Sequence, residues 1–203
     1  MLQVEQLTIS RGERVLATDL ELQVSPGDAL VAEGPNGSGK TTLLRTLATL
    51  SPPSSGTIYW QGQPITEITE AYRSKMLFLG HNAAIKLDLT PMENLKVYAK
   101  LAGAVTEPIA ALDHMGIGRY AATRCRHLSA GQLRRVALAR LVLTAAPLWI
   151  LDEPFTALDR QTIDGLSRLL EEHLAEGGSA IITTHQSISL GQARVSRLSL
   201  GGG

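Results

Sequence analysis

The chain has 203 residues, and its 19 basic and 19 acidic side chains cancel, so its formal net charge is zero. This balance excludes the strongly basic surface that recruits nucleic acid or an anionic bilayer, and we expect no nucleic-acid partner. A single cysteine excludes an intrachain disulfide and favours a reducing compartment such as the cytoplasm. No apolar stretch approaches the ~20 residues of a spanning helix, so we expect no direct membrane insertion.

Two hydrophobic periodicities alternate along the chain and predict an α/β fold, with a length that fits one domain, residues 1–203. Strands are predicted at 2–9, 15–24, 29–33, 57–61, 76–80, 148–152, 179–184 and 194–200, and helices at 40–49, 131–144 and 160–175. This alternation indicates a parallel sheet covered on both faces. The stretch 85–128 is strand-poor and helical, and it forms with the helix that follows a helical subdomain over about residues 85–145.

The segment GPNGSGKTT lies between an apolar strand and a helix, which is the context that a phosphate loop requires. Its glycines let backbone N–H groups wrap an anion, and the helix N-terminus adds its dipole. We expect Lys40 to reach the β and γ phosphates of ATP and the Thr41 hydroxyl to ligate Mg²⁺. The alternative is a glycine-rich turn with an incidental lysine. The predicted nucleotide-binding residues of this loop are Gly34, Pro35, Asn36, Gly37, Ser38, Gly39, Lys40, Thr41 and Thr42.

Two adjacent carboxylates end an apolar strand in the segment APLWILDEP, residues 146–154. Ligands of open α/β sheets lie beyond the carboxyl ends of the strands, and a buried acid there is costly without compensation. Because Mg²⁺ can supply it, we expect Asp152 to ligate the ion and Glu153 to polarise a water for attack on the γ-phosphate. The alternative is that Asp-Glu-Pro only forms a turn before the next helix.

A second anion site is predicted at the start of the helix in HLSAGQLRRVALARLVL. Ser129 is a candidate N-cap, and a helix start with an exposed serine and a glycine can bind an anion. Each ATP needs only one phosphate loop, so a second site in the same chain requires an explanation.

The order GPNGSGKTT, LSAGQ, LWILDEP, TALD and TTHQ resembles that of the ABC-type ATPases over essentially the whole chain. The resemblance implies an ABC-type P-loop NTPase with a mixed sheet core, an antiparallel β subdomain and a helical insertion. It also implies that two copies close head to tail over two ATP molecules. Ser129, Gly131 and Gln132 of one copy then cap the γ-phosphate bound by the other, which explains the second site. By the same resemblance Asp159 links the two sites, and His185 contacts the γ-phosphate.

Three positions depart from the usual pattern of that family. His81, in MLFLGH, stands where a glutamine usually ligates Mg²⁺ and begins the loop toward the membrane partner. Because Mg²⁺ prefers oxygen, we expect His81 to contact the γ-phosphate or a water, which predicts pH-sensitive coupling; the alternative is a strand-end filler. Arg11, in ISRGERVL, replaces an aromatic residue that stacks on adenine, and it either stacks on the base or is a solvated turn residue. Ala130 replaces a glycine of LSGGQ and should fit at ordinary backbone angles.

LGH in place of the glutamine, the contiguous LWILDEPFTALD, and TTHQ, where an acidic residue more often follows the histidine, together resemble the CcmA-type ATPases of the cytochrome c maturation, or haem exporter, system. The resemblance implies a peripheral subunit on the cytoplasmic face of the bacterial inner membrane. It also implies a CcmB-type integral membrane subunit as partner and a role in haem handling. No residue pattern indicates a haem contact, because Cys125 and His127 lack the C-x-x-C-H spacing.

Three functions are compatible with these motifs, and we predict the first: an ATP-hydrolysing, energy-coupling subunit of a membrane complex, with Mg²⁺ as cofactor. A soluble mechanical ATPase acting on DNA or ribosomes would need a coiled-coil insertion or a second cassette, and neither heptads nor repeats are present. An ATP-dependent switch would need no water-activating carboxylate. The predicted catalytic residues are Glu153, His185, Lys40 and His81.

Overall fold

The structure is a computed structural model that describes residues 1–185, 190–191 and 193–201. Over these residues the strands are β1 (Leu2–Arg11), β2 (Arg14–Val24), β3 (Asp28–Glu33), β4 (Ser55–Trp60), β5 (Gln63–Pro64), β6 (Met76–Leu79), β7 (Leu148–Asp152), β8 (Ser179–Thr183) and β9 (Arg194–Ser199). The α-helices are α1 (Lys40–Leu47), α2 (Thr69–Arg73), α3 (Pro91–Ala102), α4 (Pro108–His114), α5 (Ala130–Leu143) and α6 (Arg160–Ala175).

The strands form two sheets with different strand directions. A five-stranded sheet has the order β6-β7-β8-β3-β9, and each of its neighbouring pairs is parallel. A four-stranded sheet has the order β2-β1-β4-β5 and is antiparallel. The predicted mixture of strand directions is therefore divided between a parallel core sheet and an antiparallel subdomain.

The inner strands β3, β7 and β8 of the parallel sheet are buried on both faces, as their apolar sequences predict. Along β7, Leu148 and Ile150 belong to the core cluster that includes α1 and the antiparallel sheet. Trp149 and Leu151, which point to the opposite face, belong to the cluster that includes α3, α4, α5 and α6. All five residues of β7 are buried, so its polar last residue lies in the core as well.

The strand-poor middle of the chain is helical, as predicted, and each helix there has a local reason to begin. Thr90 caps α3 by accepting a hydrogen bond from the backbone N–H of Glu93, whose side chain accepts one in return from Thr90. Pro91 occupies the first helical position, where its missing N–H costs nothing. Helix α4 packs against α3 and α5, so the insertion covers one face of the parallel sheet.

Most predicted elements are confirmed, and the errors lie at their ends. The structure contains α1 only to Leu47, against a predicted 49, because Thr49 takes a left-handed backbone angle of φ 57° and reverses the chain. Strand β4 spans Ser55–Trp60 rather than 57–61, because Gln61 and Gly62 both have positive φ and form the tight turn to β5. Neither β5 nor the short α2 was predicted.

Helix α6 is fixed to the sheet by an aromatic pair. The rings of Trp149 and His173 are stacked, with centroids 3.7 Å apart and an interplanar angle of 5°. Gly178 leaves the room for the imidazole, since a Cβ there would overlap the ring. His173 Nε2 lies 3.2 Å from the Ser179 carbonyl oxygen, and burial lowers the pKa of this imidazole below its ordinary value of 6.5.

None of the helices in the described part of the chain has the length and apolar character needed to cross a bilayer.

Candidate active site

The phosphate loop joins β3 to α1 in a geometry that only glycine allows at its ends. Gly39 has φ 105° and stands at the N-cap of α1, and Gly34 has φ 146°. A Cβ at Gly34 would overlap the Leu200 carbonyl oxygen, so the chain end after β9 closes one side of the loop.

Lys40 folds back over this loop and is buried. Its Nζ donates to the Gly34 carbonyl oxygen at 2.7 Å and to the Pro35 carbonyl oxygen at 3.1 Å. Both acceptors are neutral, so the ammonium charge is not cancelled by these contacts. The Lys40 ammonium lies where the loop would wrap the phosphate groups of a nucleotide, which is the position expected of the lysine of a phosphate loop.

Asp152 ends β7 and is buried, with 1 % of its surface exposed. Thr41 Oγ1 donates to its Oδ2 at 3.0 Å, and Thr183 Oγ1 donates to its Oδ1 at 2.7 Å. The carboxylate thus lies beside the hydroxyl at the start of α1, which brings the two predicted metal ligands together.

These oxygens fit the chemistry of Mg²⁺, which is held by one or two carboxylates together with substrate phosphates. A hydroxyl and a buried carboxylate 3.0 Å apart, next to a phosphate loop, form such a partial donor set. No cluster of three or more histidine, cysteine or acidic residues suited to a metal was found in the part of the chain that the structure describes.

Glu153 follows immediately and has a left-handed backbone, with φ 51°. Thr183 fixes it there, because the Glu153 N–H donates to the Thr183 hydroxyl oxygen at 2.9 Å and to the Thr183 carbonyl oxygen at 3.1 Å. Its Oε1 lies 3.1 Å from His185 Nε2. Adjacent carboxylates therefore point apart, one into the core and one toward His185.

A cleft of about 540 Å³ collects most of the predicted residues. The predicted residues that line it are Arg11, Asn36, Gly37, Gly39, Lys40, Thr41, Thr42, His81, Glu153 and His185. Pro35 and Ser38 line a neighbouring cleft that also includes Asn36 and Gly37. Gln186, the last residue of the TTHQ segment, lies outside the described residues.

His81 and Arg11 lie in the cleft without a contact that decides their roles. His81 is exposed and stands two residues beyond the end of β6. Arg11 is exposed at the end of β1. Their predicted contacts with the γ-phosphate and the base therefore stay predictions.

The LSAGQ segment lies elsewhere, at the exposed start of α5. Ser129 Oγ accepts from the Gln132 N–H at 3.3 Å, and Gln132 Oε1 accepts from the Ser129 N–H at 2.8 Å. This reciprocal capping box begins α5, and none of its residues lines the cleft. Gly131 permits a close approach, because a Cβ there would lie 2.9 Å from the Ala157 carbonyl oxygen.

Asp159 is the N-cap of α6 and contacts the helix that follows LSAGQ. It accepts a hydrogen bond from the Thr162 N–H at 3.0 Å and one from Arg135 Nη2 at 2.5 Å. Hydrogen bonds from Thr162, together with the charge of Arg135, lower the pKa of Asp159. The TALD segment thus connects to α5 within this chain.

The sequence did not identify Thr183 and Arg134 as site residues. Thr183 is the first threonine of TTHQ, and its position at the end of a strand beside β7 was the available signal. Arg134 stands in a run of two arginines in which nothing indicates which one is buried. Cys125 is buried and burial raises its thiol pKa, so it is a core residue.

The comparisons with known proteins agree with this geometry. The family model for the ABC transporter matches residues 17–156, more than two thirds of the chain. This chain is similar to the bacterial ABC transporter cassette MJ0796, whose structure is dimeric. The TM-score is 0.83 and the identity 25 %, and the comparison covers 98 % of this chain and 94 % of that one. The dimeric post-hydrolysis state of MJ0796, bound to ADP and Pi, has a TM-score of 0.81, 26 % identity and coverage of 92 % and 88 %. Fold and site together define an ABC-type ATPase.

Curated relatives narrow this class. A cytochrome c biogenesis ATP-binding export protein CcmA from Nitrosococcus oceani is 48 % identical over 198 residues, 98 % of this chain and 92 % of that protein. The CcmA protein of Escherichia coli strain K12 is 42 % identical over 200 residues, 98 % of this chain and 96 % of that protein. The chain belongs to the CcmA-type ATPases of the ABC transporter family.

Proposed function

We propose that this ATPase is the energy-coupling subunit of a membrane complex that handles haem for c-type cytochrome biogenesis. The observation that carries the proposal is the cleft in which the phosphate loop, Glu153 and His185 meet, with the buried Asp152 bonded to Thr41 beside it, in a chain 48 % identical to a CcmA export protein. A soluble mechanical ATPase and a non-hydrolysing switch receive no comparable support from the contacts of the site.

The contacts support a different role for each of the predicted residues. Lys40, now bonded to two carbonyl oxygens, exchanges them for phosphate oxygens. Glu153 orients and deprotonates the attacking water, and His185, 3.1 Å from its carboxylate, contacts the γ-phosphate. Thr41 and Asp152 are the residues that would hold Mg²⁺, which would neutralise phosphate charge when bound.

A second copy of the chain completes the site. Ser129, Gly131 and Gln132 lie outside the cleft of their own chain, at a helix start whose backbone N–H groups favour an anion. They would cap ATP bound to the other copy, with Asp159 linking the two sites. The dimeric structures of the similar cassette support this arrangement.

The membrane partner is a CcmB-type integral subunit, which places the chain on the cytoplasmic face of the bacterial inner membrane. A groove supports this proposal, because α2 and β6 of the sheet domain form one side and α3 with the loop after it forms the other. Leu101 and Val105 on this second side are 81 % and 66 % exposed. An amphipathic helix of a partner would cover them. We treat the chain as one domain, 1–203, whose helical subdomain spans about 85–145.

Glu153→Gln tests the catalytic part of the proposal. We expect the rate of Mg-ATP turnover to fall at least about a hundredfold, since a general base contributes on that order. ATP binding should persist, and the variant should form an ATP-dependent dimer in size-exclusion chromatography. Glu172→Gln on the exposed face of α6 is the control of equal charge. Equal turnover in Glu153→Gln and the wild type would contradict the catalytic role.

The haem part is tested in the source organism. After deletion of the gene, c-type cytochromes with covalent haem should disappear from haem-stained gels. The wild-type gene should restore them and the Glu153→Gln gene should not. Full restoration by the variant would separate the biological role from ATP hydrolysis.

A further inference from the structure

The side chain of Arg134, in the second turn of α5, is buried among backbone carbonyl oxygens rather than carboxylates. Its Nη2 donates to the carbonyl oxygens of Glu153 at 2.7 Å and Asp152 at 3.0 Å. Its Nη1 donates to the Gly80 carbonyl oxygen at 3.0 Å. Longer contacts of 3.4 Å reach the carbonyl oxygens of His81 and Pro154.

This arrangement is costly and specific. The residue is 5 % exposed, and burial lowers the pKa of its guanidinium, while the nearby charges of Asp152 and Glu153 oppose that shift. A buried cation without a directly bonded carboxylate needs several acceptors to offset desolvation. The planar fork of arginine supplies five N–H donors in fixed directions, whereas lysine has three donors on a single nitrogen.

The carbonyl oxygens belong to two separate segments of the site. One is the turn after β6, which carries His81, and the other is the turn after β7, which carries Glu153. Strands β6 and β7 are parallel neighbours in the sheet, so the two turns follow the same edge of it. Arg134 spans both turns from the helix that begins with the LSAGQ segment.

A second arginine of α5 holds the far part of the same turn. Arg140 Nη2 donates to the Ala84 carbonyl oxygen at 2.8 Å, and its guanidinium lies 4.8 Å from the centre of the Tyr98 ring. The turn from Gly80 to Ala84 is therefore attached to α5 at both ends. The backbone N–H of Glu153 is held independently by Thr183, so Arg134 fixes the other side of this strained residue.

We propose that Arg134 is a positioning residue that holds the His81 turn and Glu153 in one arrangement relative to α5, so that ATP turnover depends on it and ATP binding does not. The proposal rests on the proposed catalytic role of Glu153. It also means that a shift of α5 is transmitted to both turns through one side chain.

The test compares Arg134→Gln and Arg134→Lys with the wild type and with Arg168→Gln, a control arginine on the exposed face of α6. Steady-state kcat, the Kd for ATP under non-hydrolysing conditions and cooperative unfolding are measured for each. We expect kcat of Arg134→Gln to fall at least about tenfold with the Kd changed less than about twofold. The lysine variant should not recover, because one ammonium group cannot bridge both turns.

A rescue experiment separates positioning from folding. Methylguanidinium at about 10 mM, far below the molar concentrations that unfold proteins, should restore part of the kcat of Arg134→Ala and none of that of Glu153→Gln. A merely structural arginine would not give this selective rescue.

Wild-type kcat in Arg134→Gln, full recovery in Arg134→Lys, or loss of cooperative unfolding in every Arg134 variant would each overturn the proposal. Failure of the proposed function has a different signature, in which the wild type and Glu153→Gln turn over ATP equally. The two failures are therefore distinguishable in one set of proteins.

Discussion

The cleft at the strand ends and the start of α5 differ in how their polar groups are arranged. At the strand ends, Thr41, Asp152, Thr183 and Glu153 form one continuous series of hydrogen bonds across three elements that are distant in sequence, and Thr41 and Glu153 also line the cleft. At the start of α5, Ser129 and Gln132 bond only to each other's backbone in the contacts described above. The first region is assembled by the fold, whereas the second is assembled within four consecutive residues, 129–132.

This difference agrees with the proposal that one chain builds only half of the catalytic site. A site made from several strand ends is fixed when the sheet forms. A capped helix start on the surface faces solvent, so it contacts ATP only when another molecule carries the nucleotide to it. The proposed two-copy arrangement agrees with this contrast, and the predictions below test it.

The largest expected effect comes from mixing two variants, one with a defect in the cleft and the other with a defect at the start of α5. Lys40→Ala removes the lysine of the cleft, and Ser129→Asp places a negative charge where the capped phosphate would lie. Each variant alone should lose at least about 99 % of turnover. An equal mixture should recover about a quarter of the wild-type rate, because half of randomly paired dimers contain one intact composite site out of two.

Independent sites within single chains would give no recovery on mixing, which contradicts the comparison. A mixture of Lys40→Ala with Glu153→Gln is the control, since both changes lie in the same region. In that mixed dimer each composite site contains one defect, so no recovery is expected.

A smaller effect is expected from Asp152→Asn within the cleft. The amide removes the charge that would attract Mg²⁺, so the gain in ATP affinity caused by Mg²⁺ should shrink at least about tenfold. Titration calorimetry with Mg²⁺ and with EDTA measures this gain. Thr183→Ser, which keeps the hydroxyl that donates to Asp152, is the matched control. An undiminished Mg²⁺ effect in Asp152→Asn would place the metal elsewhere.

The start of α5 should show a stability effect that is separable from activity. Ser129→Ala removes the side-chain cap and should lower the free energy of unfolding by about 1 kcal/mol. Ser129→Asp retains a good N-cap and should keep nearly wild-type stability while losing turnover. Urea denaturation of both variants measures the difference. Equal destabilisation by Ala and Asp would show that the capping box does not hold the helix start.

The smallest expected effect is a pH dependence of the free energy of unfolding, which concerns the whole chain rather than either region. Because burial lowers the pKa of His173 below 6.5, the unfolded chain takes up the proton first, and the free energy of unfolding falls as the pH drops below about 6.5. One histidine contributes at most about 1.4 kcal/mol per pH unit, and the loss ends below the folded-state pKa. His173→Phe keeps a ring on Trp149 and should flatten this slope in denaturation at several pH values.

His173→Phe also allows the pH dependence of ATP turnover to be measured without the pH-dependent loss of stability that His173 causes. Any pH dependence that remains in His173→Phe and disappears after a further His81→Gln change would belong to the His81 turn, as the sequence predicts. An unchanged acid slope in His173→Phe would assign the destabilisation to other groups.

The sequence predicts the site well where local pattern and chemistry coincide. The phosphate loop, the Asp152 and Glu153 pair, and the approach of Asp152 to Thr41 all follow from strand-end placement and glycine spacing. The element ends are less predictable, since the reversal at Thr49 and the turn at Gln61 depend on positive φ in residues that do not favour it. No pattern of apolar residues signals such angles.

The roles of Thr183 and Arg134 required the tertiary structure. Both act through atoms whose partners lie 18 to 54 residues away, so no local spacing connects them. Buried arginines look like surface arginines in a sequence, and Arg134, Arg135 and Arg140 differ only in where α5 packs. The predicted contact of Arg11 with the base stays a prediction for a different reason, because the base is not part of the chain.

The left-handed backbone of Glu153 has an evolutionary consequence. Glycine adopts φ 51° without strain, so Glu153→Gly should relieve about 1 kcal/mol of backbone strain at this position while removing the carboxylate beside His185. The chain therefore carries, at the position proposed to be catalytic, a residue that is poorly suited to the backbone there. Selection for folding alone would drift toward glycine at this position, and only continued use of the carboxylate would keep glutamate in place.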